Sequence, residues 1–157
     1  WLRLAEEMDA PRMVSIQNEY SLVCRLFDTD LAELAVHEKV DLLAYSPLGA
    51  GLLTGKYAGG ARPQGSRASV NGDLGGRITP RSEAAAAAYA EIAARHGLSA
   101  VHMALAWCLT RPFMGSVIFG ATSAAQLGHI LEGVGTTLSQ EVLDEIAAVH
   151  RAHPMPY

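Results

Sequence analysis

The chain has 157 residues, of which half are hydrophobic and 18% are charged, a composition typical of one folded domain rather than a disordered segment. Its formal net charge of −4 gives no electrostatic reason to expect a nucleic acid or an anionic membrane as a partner. No apolar stretch approaches the roughly 20 residues that span a bilayer, and the first residues lack the pattern of a signal peptide. Two isolated cysteines, Cys24 and Cys108, indicate no disulfide framework, so we expect a cytoplasmic protein.

The first half of the chain predicts two strands with a helix between them. The chain opens at Trp1 inside a helical pattern, and a short β-branched run predicts a strand over 14–17. Asp30 followed by Glu33 is typical of a capping box, which predicts that a helix begins there. Residues 40–46 form a second strand, too apolar for simple alternation and therefore typical of a sheet covered on both faces.

A Gly-rich stretch from residue 58 to about residue 78 follows, with six glycines. It is longer than the unstructured connections of compact domains, so we expect either a functional flap or a disordered segment.

The second half predicts four helices and one more strand. The helices are expected over 80–96 after Thr79, from Ser99 to before Pro112, over 124–134 after a capping box of Ser123 and Gln126, and after Ser139. Residues 116–120 predict the third strand.

Because strands alternate with helices, the fold is predicted to be α/β with a parallel sheet. Three parallel strands cannot close a barrel and would leave two unpaired edges. A (β/α)8 barrel needs about 250 residues, so the chain has the repeat of that fold and about half its length.

The segment LLAYSPLGAGLLTGKY at 42–57 invites comparison with a phosphate-binding loop, and the comparison fails. With Gly55 and Lys56 fixed, the first glycine of that motif would stand at position 50, which is Ala50. Tyr57 also stands where the motif has Ser or Thr.

The same segment still places Tyr45 and a glycine-containing loop at the carboxyl end of a strand, where α/β folds bind ligands. Loop amides there are able to receive phosphate oxygens, and a tyrosine ring is able to stack on a flat heterocycle. The residues alone favour the other interpretation, in which Tyr45 packs in the core above a simple turn. Gln17, at the end of the first strand, fits either an amide contact with a ligand or a solvated position.

The third strand leads through Gly120 into a helix whose free N–H groups predict an anion site, with the hydroxyls of Thr122 and Ser123 as further donors. Simple capping by Ser123 and Gln126 explains the same residues equally well. A doubly charged phosphate would need a cation from elsewhere, and Arg67 is a candidate.

We predict no metal site and no nucleophilic triad. The six histidines fall on predicted helices or in the tail, and the sequence has no HExxH pair and no Cys/His cluster.

Four segments in order resemble the C-terminal half of an aldo-keto reductase: SIQNEYS at 15–21, AYSPLGAGLLTGKY at 44–57, MALAWCLTRP at 103–112 and VIFGATSAAQL at 117–127. SRAS at 66–69 is similar to the branch that contains the potassium-channel β subunits. RHGLSAVHMALA at 95–106 and the PMP tail are similar to a bacterial NADP(H)-dependent branch. Residues 1–157 would thus be one partial aldo-keto reductase domain.

The resemblance implies a (β/α)8 TIM barrel, of which this chain supplies about half, and NADP(H) as cofactor. It implies that Gln17 bonds the nicotinamide carboxamide and that Tyr45 stacks on the nicotinamide ring, which reverses the preference for a core tyrosine. The pyrophosphate would be lined by Ser46, Leu48, Gly51, Thr54 and Lys56. The adenosine 2′-phosphate end would be held by Gly120, Thr122, Ser123, Gln126 and Arg67.

The chain departs from the family pattern in two places. The family usually has Gln-Leu-x-x-Asn on the last cofactor helix, whereas this chain has Gln126-Leu127-Gly128-His129-Ile130, so an adenine contact is missing or is replaced by His129. No segment matches the family's catalytic Asp, Tyr, Lys and His, so we expect no catalytic residue in this chain.

The expected activity is hydride transfer between NADPH and an aldehyde or ketone, in a protein that also has the other half of the barrel. We expect residues 1–157 alone to be inactive and poorly folded because their sheet edges are open. The alternatives are a nucleotide-sensing regulatory module, similar to the channel β subunits, and an inactive fragment.

Overall fold

The computed structural model describes residues 1–157 as an α/β fold on one three-stranded parallel sheet. The strands are β1 Ser15–Glu19, β2 Asp41–Tyr45 and β3 Met114–Ile118, in the spatial order β1-β2-β3. The predicted parallel pairing and the two unpaired edges, on β1 and β3, are confirmed. The third strand was predicted two residues too late, since Phe119 and Gly120 lie beyond it.

Eight α-helices accompany the sheet. They are α1 Leu2–Glu7, α2 Leu26–Asp30, α3 Ala32–Glu38, α4 Arg67–Val70, α5 Pro80–Arg95, α6 Ala100–Leu109, α7 Ala124–Glu132 and α8 Gln140–Ala152. Two stretches of 3₁₀ helix, Gly49–Thr54 and Ala58–Gly60, follow β2. None of the helices has the length and apolar character that crossing a bilayer requires.

Side-chain caps begin four of the longer helices. Ser99, Ser123 and Ser139 each accept a hydrogen bond from the third helical N–H, as predicted. Thr79 does the same and forms a reciprocal capping box with Ser82.

The predicted capping box of Asp30 and Glu33 is wrong. Asp30 is the last residue of α2, so its backbone is already helical and cannot adopt the extended conformation of an N-cap. The next helix, α3, follows Leu31 without any side-chain cap.

The core lies between one face of the sheet and helices α5, α6 and α8. Leu42 and Ala44 on β2 are fully buried, and the indole of Trp107 on α6 stacks on the ring of Tyr20 with centroids 5.3 Å apart. Burial alternates along β2, so the chain's own helices cover only one face of that strand. On the opposite face of β2, Leu43 is half-buried and Tyr45 is exposed. The apolar run predicted a sheet covered on both faces, and the helices of this chain do not provide the second cover.

Residues 58–78, called the flap from here on, form a second small core together with Tyr57. Tyr57, Ala68 and Leu74 are buried together, and the hydroxyl of Tyr57 accepts the backbone N–H of Ala68 at 3.3 Å. The flap also contains the short helix α4. The structure therefore favours the flap over the disordered segment among the two predicted alternatives.

Candidate functional site

A cleft of about 850 Å³ opens at the carboxyl ends of β2 and β3. It is lined by the loop and 3₁₀ helix after β2, by residues 63–67 of the flap, by the chain from the end of β3 into α7, and by Val101 of α6. The topology explains its position, because neighbouring parallel strands end at the same edge of a sheet and their following loops meet there.

The loop after β2 has an unusual backbone. Ser46 and Ala50 have φ values of +53° and +56°, a left-handed conformation that costs a residue with a side chain about 1 kcal/mol or more. Gly51 has φ of +101°, where glycine is needed. Leu52 and Leu53, both buried, anchor the loop to the core so that this strained path persists.

The amides of this loop are less available than the sequence suggested. The N–H of Gly49 donates to the carbonyl of Ser46 at 2.8 Å, and that of Gly51 donates to the carbonyl of Leu48 at 3.0 Å. The hydroxyl of Thr54 donates to the carbonyl of Gly51 at 2.7 Å. Because the loop uses these donors internally, its capacity to bind an anion depends on side-chain charge.

Two cations supply that charge. The side chain of Lys56 lies over Gly51, with its Nζ 5.1 Å from the centroid of the Tyr57 ring. Arg67 is the first residue of α4, which Ser66 caps. Lys56 and Arg67 are both exposed, and neither side chain forms a salt bridge or hydrogen bond.

No aspartate or glutamate lines the cleft. With two unpaired cations and no carboxylate, the cleft carries a local positive charge on a chain whose net charge is −4. A ligand with several negative charges is the class that such a surface favours.

The N-terminus of α7 forms the far wall of the cleft. The side-chain oxygen of Gln126 accepts both the N–H of Thr122, at 2.9 Å, and its hydroxyl, at 3.0 Å. The predicted capping box is therefore incomplete. Ser123 accepts the N–H of Gln126, but the side chain of Gln126 binds Thr122 instead of the backbone N–H of Ser123. The N–H groups of Ala124 and Ala125 begin the helix and have no partner within it.

His129 ties α7 to α6. Its Nε2 lies 3.2 Å from the hydroxyl of Ser99, and its ring lies 4.6 Å from the ring of His102, centroid to centroid. His102 in turn bonds the carbonyl of His129 at 2.6 Å. Ile130, at the position of the family's Asn, is buried and lines the cleft.

Gln17 and Tyr45 are not among the residues that line this cleft, and Gln17 is in the middle of β1 rather than at its end, where it was predicted. Gln17 pairs with Leu43 in the sheet register and Tyr45 with Glu19, so all four residues occupy one face. That face is the one without helices over it, and Tyr45 is 38% exposed. Tyr45 is therefore not the core residue that composition alone favoured.

The structure thus gathers most of the predicted cofactor residues around one cleft. Those that line it are Ser46, Leu48, Gly51, Thr54, Lys56, Arg67, Gly120, Thr122, Gln126 and His129. Ser123 caps the adjoining helix, and Gln17 and Tyr45 lie on the neighbouring sheet face.

Sequence reasoning missed other lining residues, among them Pro63, Gln64 and Phe119. Phe119, which is 37% exposed, directly precedes Gly120 and could have been found as an aromatic at a strand end. Pro63 and Gln64 had no such signal, because only the path of the flap brings them to the cleft.

A separate group of possible metal ligands lies on the outer helices. His96, Glu141 and Glu145 place one ligand atom each within 4.8 Å of one another. Glu145 is already engaged, since one carboxylate oxygen bonds His96 at 3.0 Å and the other bonds Arg95. Hydrogen bonds from His96 and Arg95 lower the pKa of Glu145. The expectation of no metal stays a prediction.

Comparison with known proteins gives the same family as the residue patterns. The model of the aldo/keto reductase family matches residues 2–151. Over 99% of its length the chain is 46% identical to the protein tas of Escherichia coli. It is 31% identical over 96% of its length to a probable voltage-gated potassium channel subunit beta of Arabidopsis thaliana. It is also 32% identical to the L-glyceraldehyde 3-phosphate reductase of Escherichia coli over 92% of its length.

The chain spans a little under half the length of these relatives. The matched region covers 45% of the tas protein, 48% of the Arabidopsis protein and 43% of the glyceraldehyde 3-phosphate reductase.

Proposed function

Because this chain belongs to the aldo/keto reductase family, we propose that it is the cofactor-binding part of an NADP(H)-dependent reductase of aldehydes and ketones. In this proposal, residues 1–157 are a partial domain, and the three strands are neighbouring strands of a (β/α)8 barrel. The sheet face that carries Gln17 and Tyr45 would then face the barrel interior. A cytoplasmic location belongs to the same proposal, and the two free buried cysteines suit a reducing compartment.

The charge of the cleft is the observation that carries this proposal. Lys56 and Arg67 are unpaired, and no carboxylate lies opposite them. An NADP(H) molecule has a pyrophosphate and a 2′-phosphate, two separate anionic groups that need two separate cations. Lys56 lies on the β2 side of the cleft and Arg67 on the flap, which suits that division.

The remaining residues fit the uncharged parts of the cofactor. Gln17 offers a donor and an acceptor for a carboxamide, and the exposed ring of Tyr45 offers a flat apolar surface for the nicotinamide. The first N–H groups of α7, with the hydroxyls of Thr122 and Ser123, suit an anion at the adenosine end. When bound, the reduced cofactor supplies a hydride for the substrate carbonyl.

The chain's own residues would bind and orient the cofactor and would not move the proton. Glu19 lies on the same sheet face as Gln17 and Tyr45, but its carboxylate already accepts hydrogen bonds from Arg77 and Tyr157. We propose that the proton donor for the substrate oxygen is a tyrosine contributed by residues other than 1–157. The identity of the carbonyl substrate depends on those same residues and on the flap.

A regulatory module is the second candidate. Several similar proteins are named as potassium channel β subunits, from Arabidopsis, rice and fission yeast. Under this alternative, the same cleft would hold the nucleotide, and binding rather than turnover would be the function. Turnover separates the two: steady oxidation of NADPH by an aldehyde favours the reductase, and slow turnover with a stable protein partner favours the module.

The decisive experiment titrates the complete gene product that contains these residues with NADPH and with NADH, following quenching of tryptophan fluorescence. The variant Arg67→Ala is expected to raise the Kd for NADPH about tenfold and to leave the Kd for NADH within about twofold. Arg62→Ala is the matched control, because Arg62 is also an exposed flap arginine and does not line the cleft. Absence of NADPH binding in the wild-type protein would overturn the proposal.

A second measurement tests whether residues 1–157 bind the cofactor without supplying the proton donor. Residues 1–157 expressed alone are expected to show no NADPH oxidation with a generic aldehyde above a blank. Turnover well above the blank would show that the proton donor is within this chain.

A further inference from the structure

An ionic cluster lies outside the cleft, where β1 ends and the flap rejoins the fold. The guanidinium of Arg77 donates two hydrogen bonds to the carboxylate of Glu19, at 2.9 Å and 2.6 Å. The hydroxyl of Tyr157 donates a third to the same carboxylate at 3.0 Å. The two charged side chains are largely buried, with 25% of Arg77 and 14% of Glu19 exposed.

The cluster connects three segments that are distant in the sequence. Glu19 is the last residue of β1, and Arg77 lies at the end of the flap, 58 residues later. Arg77 also donates to the carbonyl of Leu74, a member of the flap core, at 2.9 Å. Tyr157 belongs to the C-terminal tail, which is tied down separately because Thr79 donates to the carbonyl of Pro156 at 3.0 Å.

The pKa values of Arg77 and Tyr157 both depend on Glu19. Hydrogen bonding to Glu19 raises the pKa of Arg77 above its ordinary value, and burial, reinforced by the charge of Glu19, raises the pKa of Tyr157. The Arg77 guanidinium also lies 5.9 Å from the centroid of the Tyr157 ring. Removing the Glu19 charge would leave a partly buried cation without its partner, which favours opening of the flap end.

The flap has its other attachment at Tyr57, through the hydroxyl that accepts the Ala68 N–H. Residues 63–67, which line the cleft, lie directly before Ala68, and Arg67 carries one of the two cations of the cleft. Where the flap is held at both ends, a ligand under it does not have to order the flap on binding.

We propose that Glu19, Arg77 and Tyr157 form a clasp that positions the flap over the cleft and thereby sets how long the nucleotide is retained. These are positioning residues, since none of the three lines the cleft. The clasp rests on the proposed function only for the identity of the nucleotide; its hold on the flap is independent of any ligand.

The first test needs no ligand. Amide hydrogen exchange of the complete gene product is compared between the wild type and Glu19→Gln, in peptides from 58–78. The variant is expected to exchange at least about tenfold faster in these peptides, with helices α5 and α6 unchanged. Glu145→Gln is the matched control, because it breaks an ion pair with Arg95 on the outer helices. Equal exchange of the flap in wild type and Glu19→Gln overturns the clasp.

The second test separates positioning from general destabilisation. Glu19→Gln is expected to raise the KM for NADPH about tenfold without lowering kcat, because flap opening accompanies nucleotide release. A variant that is merely less folded would lose kcat in proportion to its unfolded fraction and keep its KM. Arg77→Lys, which keeps the charge and loses the paired hydrogen bonds, is expected to fall between wild type and Arg77→Gln.

The outcomes also distinguish the clasp from the proposed function. Faster flap exchange in Glu19→Gln, in a protein that binds no NADPH, would support the clasp and reject the cofactor. NADPH binding that Glu19→Gln leaves unchanged would reject the clasp and keep the cofactor.

Discussion

The side chain of Lys56 lies so close over Gly51 that a Cβ on that glycine would stand 2.9 Å from Cε and 3.0 Å from Nζ of the lysine. Gly51 thus has two reasons to lack a side chain, since its φ of +101° also disfavours any other residue. The observed position of the Lys56 side chain therefore depends on residue 51 being a glycine.

Replacing Gly51 by Ala is therefore expected to displace Lys56 and to weaken binding of NADPH at least about tenfold. Fluorescence titration of the complete gene product measures the effect. Gly72→Ala is the control, because a Cβ there meets nothing within 4 Å and its φ is not left-handed. Equal affinities of Gly51→Ala and wild type would contradict the assigned role of Lys56.

Two glycines of the α7 region are expected to respond to alanine with opposite signs. Gly128 lies inside α7, and a Cβ there meets nothing within 4 Å, so Gly128→Ala should raise the free energy of unfolding by about 0.5–1 kcal/mol. A Cβ on Gly133 would lie 2.4 Å from Cδ2 of His102, so Gly133→Ala should lower the free energy of unfolding by about 1–3 kcal/mol. Urea unfolding measures both, and the same sign for the two variants would show that the α6–α7 contact is misassigned.

The two cysteines are expected to be unreactive in the folded protein. Burial raises the pKa of the Cys108 thiol to about 12 and also raises that of Cys24. At pH 8 only about one Cys108 in ten thousand is then a thiolate, the form that reacts with iodoacetamide. After treatment with iodoacetamide, mass spectrometry should find both residues unmodified in the native protein and both carbamidomethylated in the protein unfolded in about 8 M urea. Rapid native labelling of Cys108 would contradict its placement in the core.

His150 on α8 predicts a loss of stability in mildly acidic solution. Burial, with a smaller contribution from Arg25, lowers its pKa below 6.5, although Asp28 opposes the shift. The unfolded chain therefore binds more protons than the folded one once the pH falls through about 6.5, so stability present above that pH is lost below it. His150→Gln should flatten the dependence of the urea midpoint on pH between about 7 and 5.

His37→Gln is the control for this experiment, because the His37 side chain is 74% exposed on α3. A slope in His150→Gln as steep as that of the wild type would show that another group causes the acid sensitivity.

Local signals located most of the elements. Helix starts at Thr79, Ser99 and Ser139 were predicted because a cap depends on residues only three positions apart. The pattern at Asp30 had the same local appearance and was wrong, because α2 already occupied that residue. A cap forms only where the preceding backbone is extended, and that depends on packing of the neighbouring turn.

The candidate site was predicted through motifs, and the roles assigned to its residues stay predictions, although two hydrogen-bond partners differ from those expected. The N–H groups of Gly49 and Gly51 donate to carbonyls inside the loop, and Gln126 accepts from Thr122 instead of completing a capping box with Ser123. Both corrections concern hydrogen-bond partners. A donor group can be counted from the sequence, but its partner is set by backbone angles such as the left-handed φ of Ser46.

The sequence by itself determined the family, the alternation of strands with the longer helices, and most of the residues near the cleft, because these follow from local periodicity and contiguous motifs. Only the tertiary structure decided that Lys56 and Arg67 remain unpaired on opposite sides of one cleft, that Tyr45 is exposed, and that Glu19 binds Arg77. Charge pairing and burial depend on which distant segments meet in space. That information is distributed over the whole chain and cannot be read from any one stretch of it.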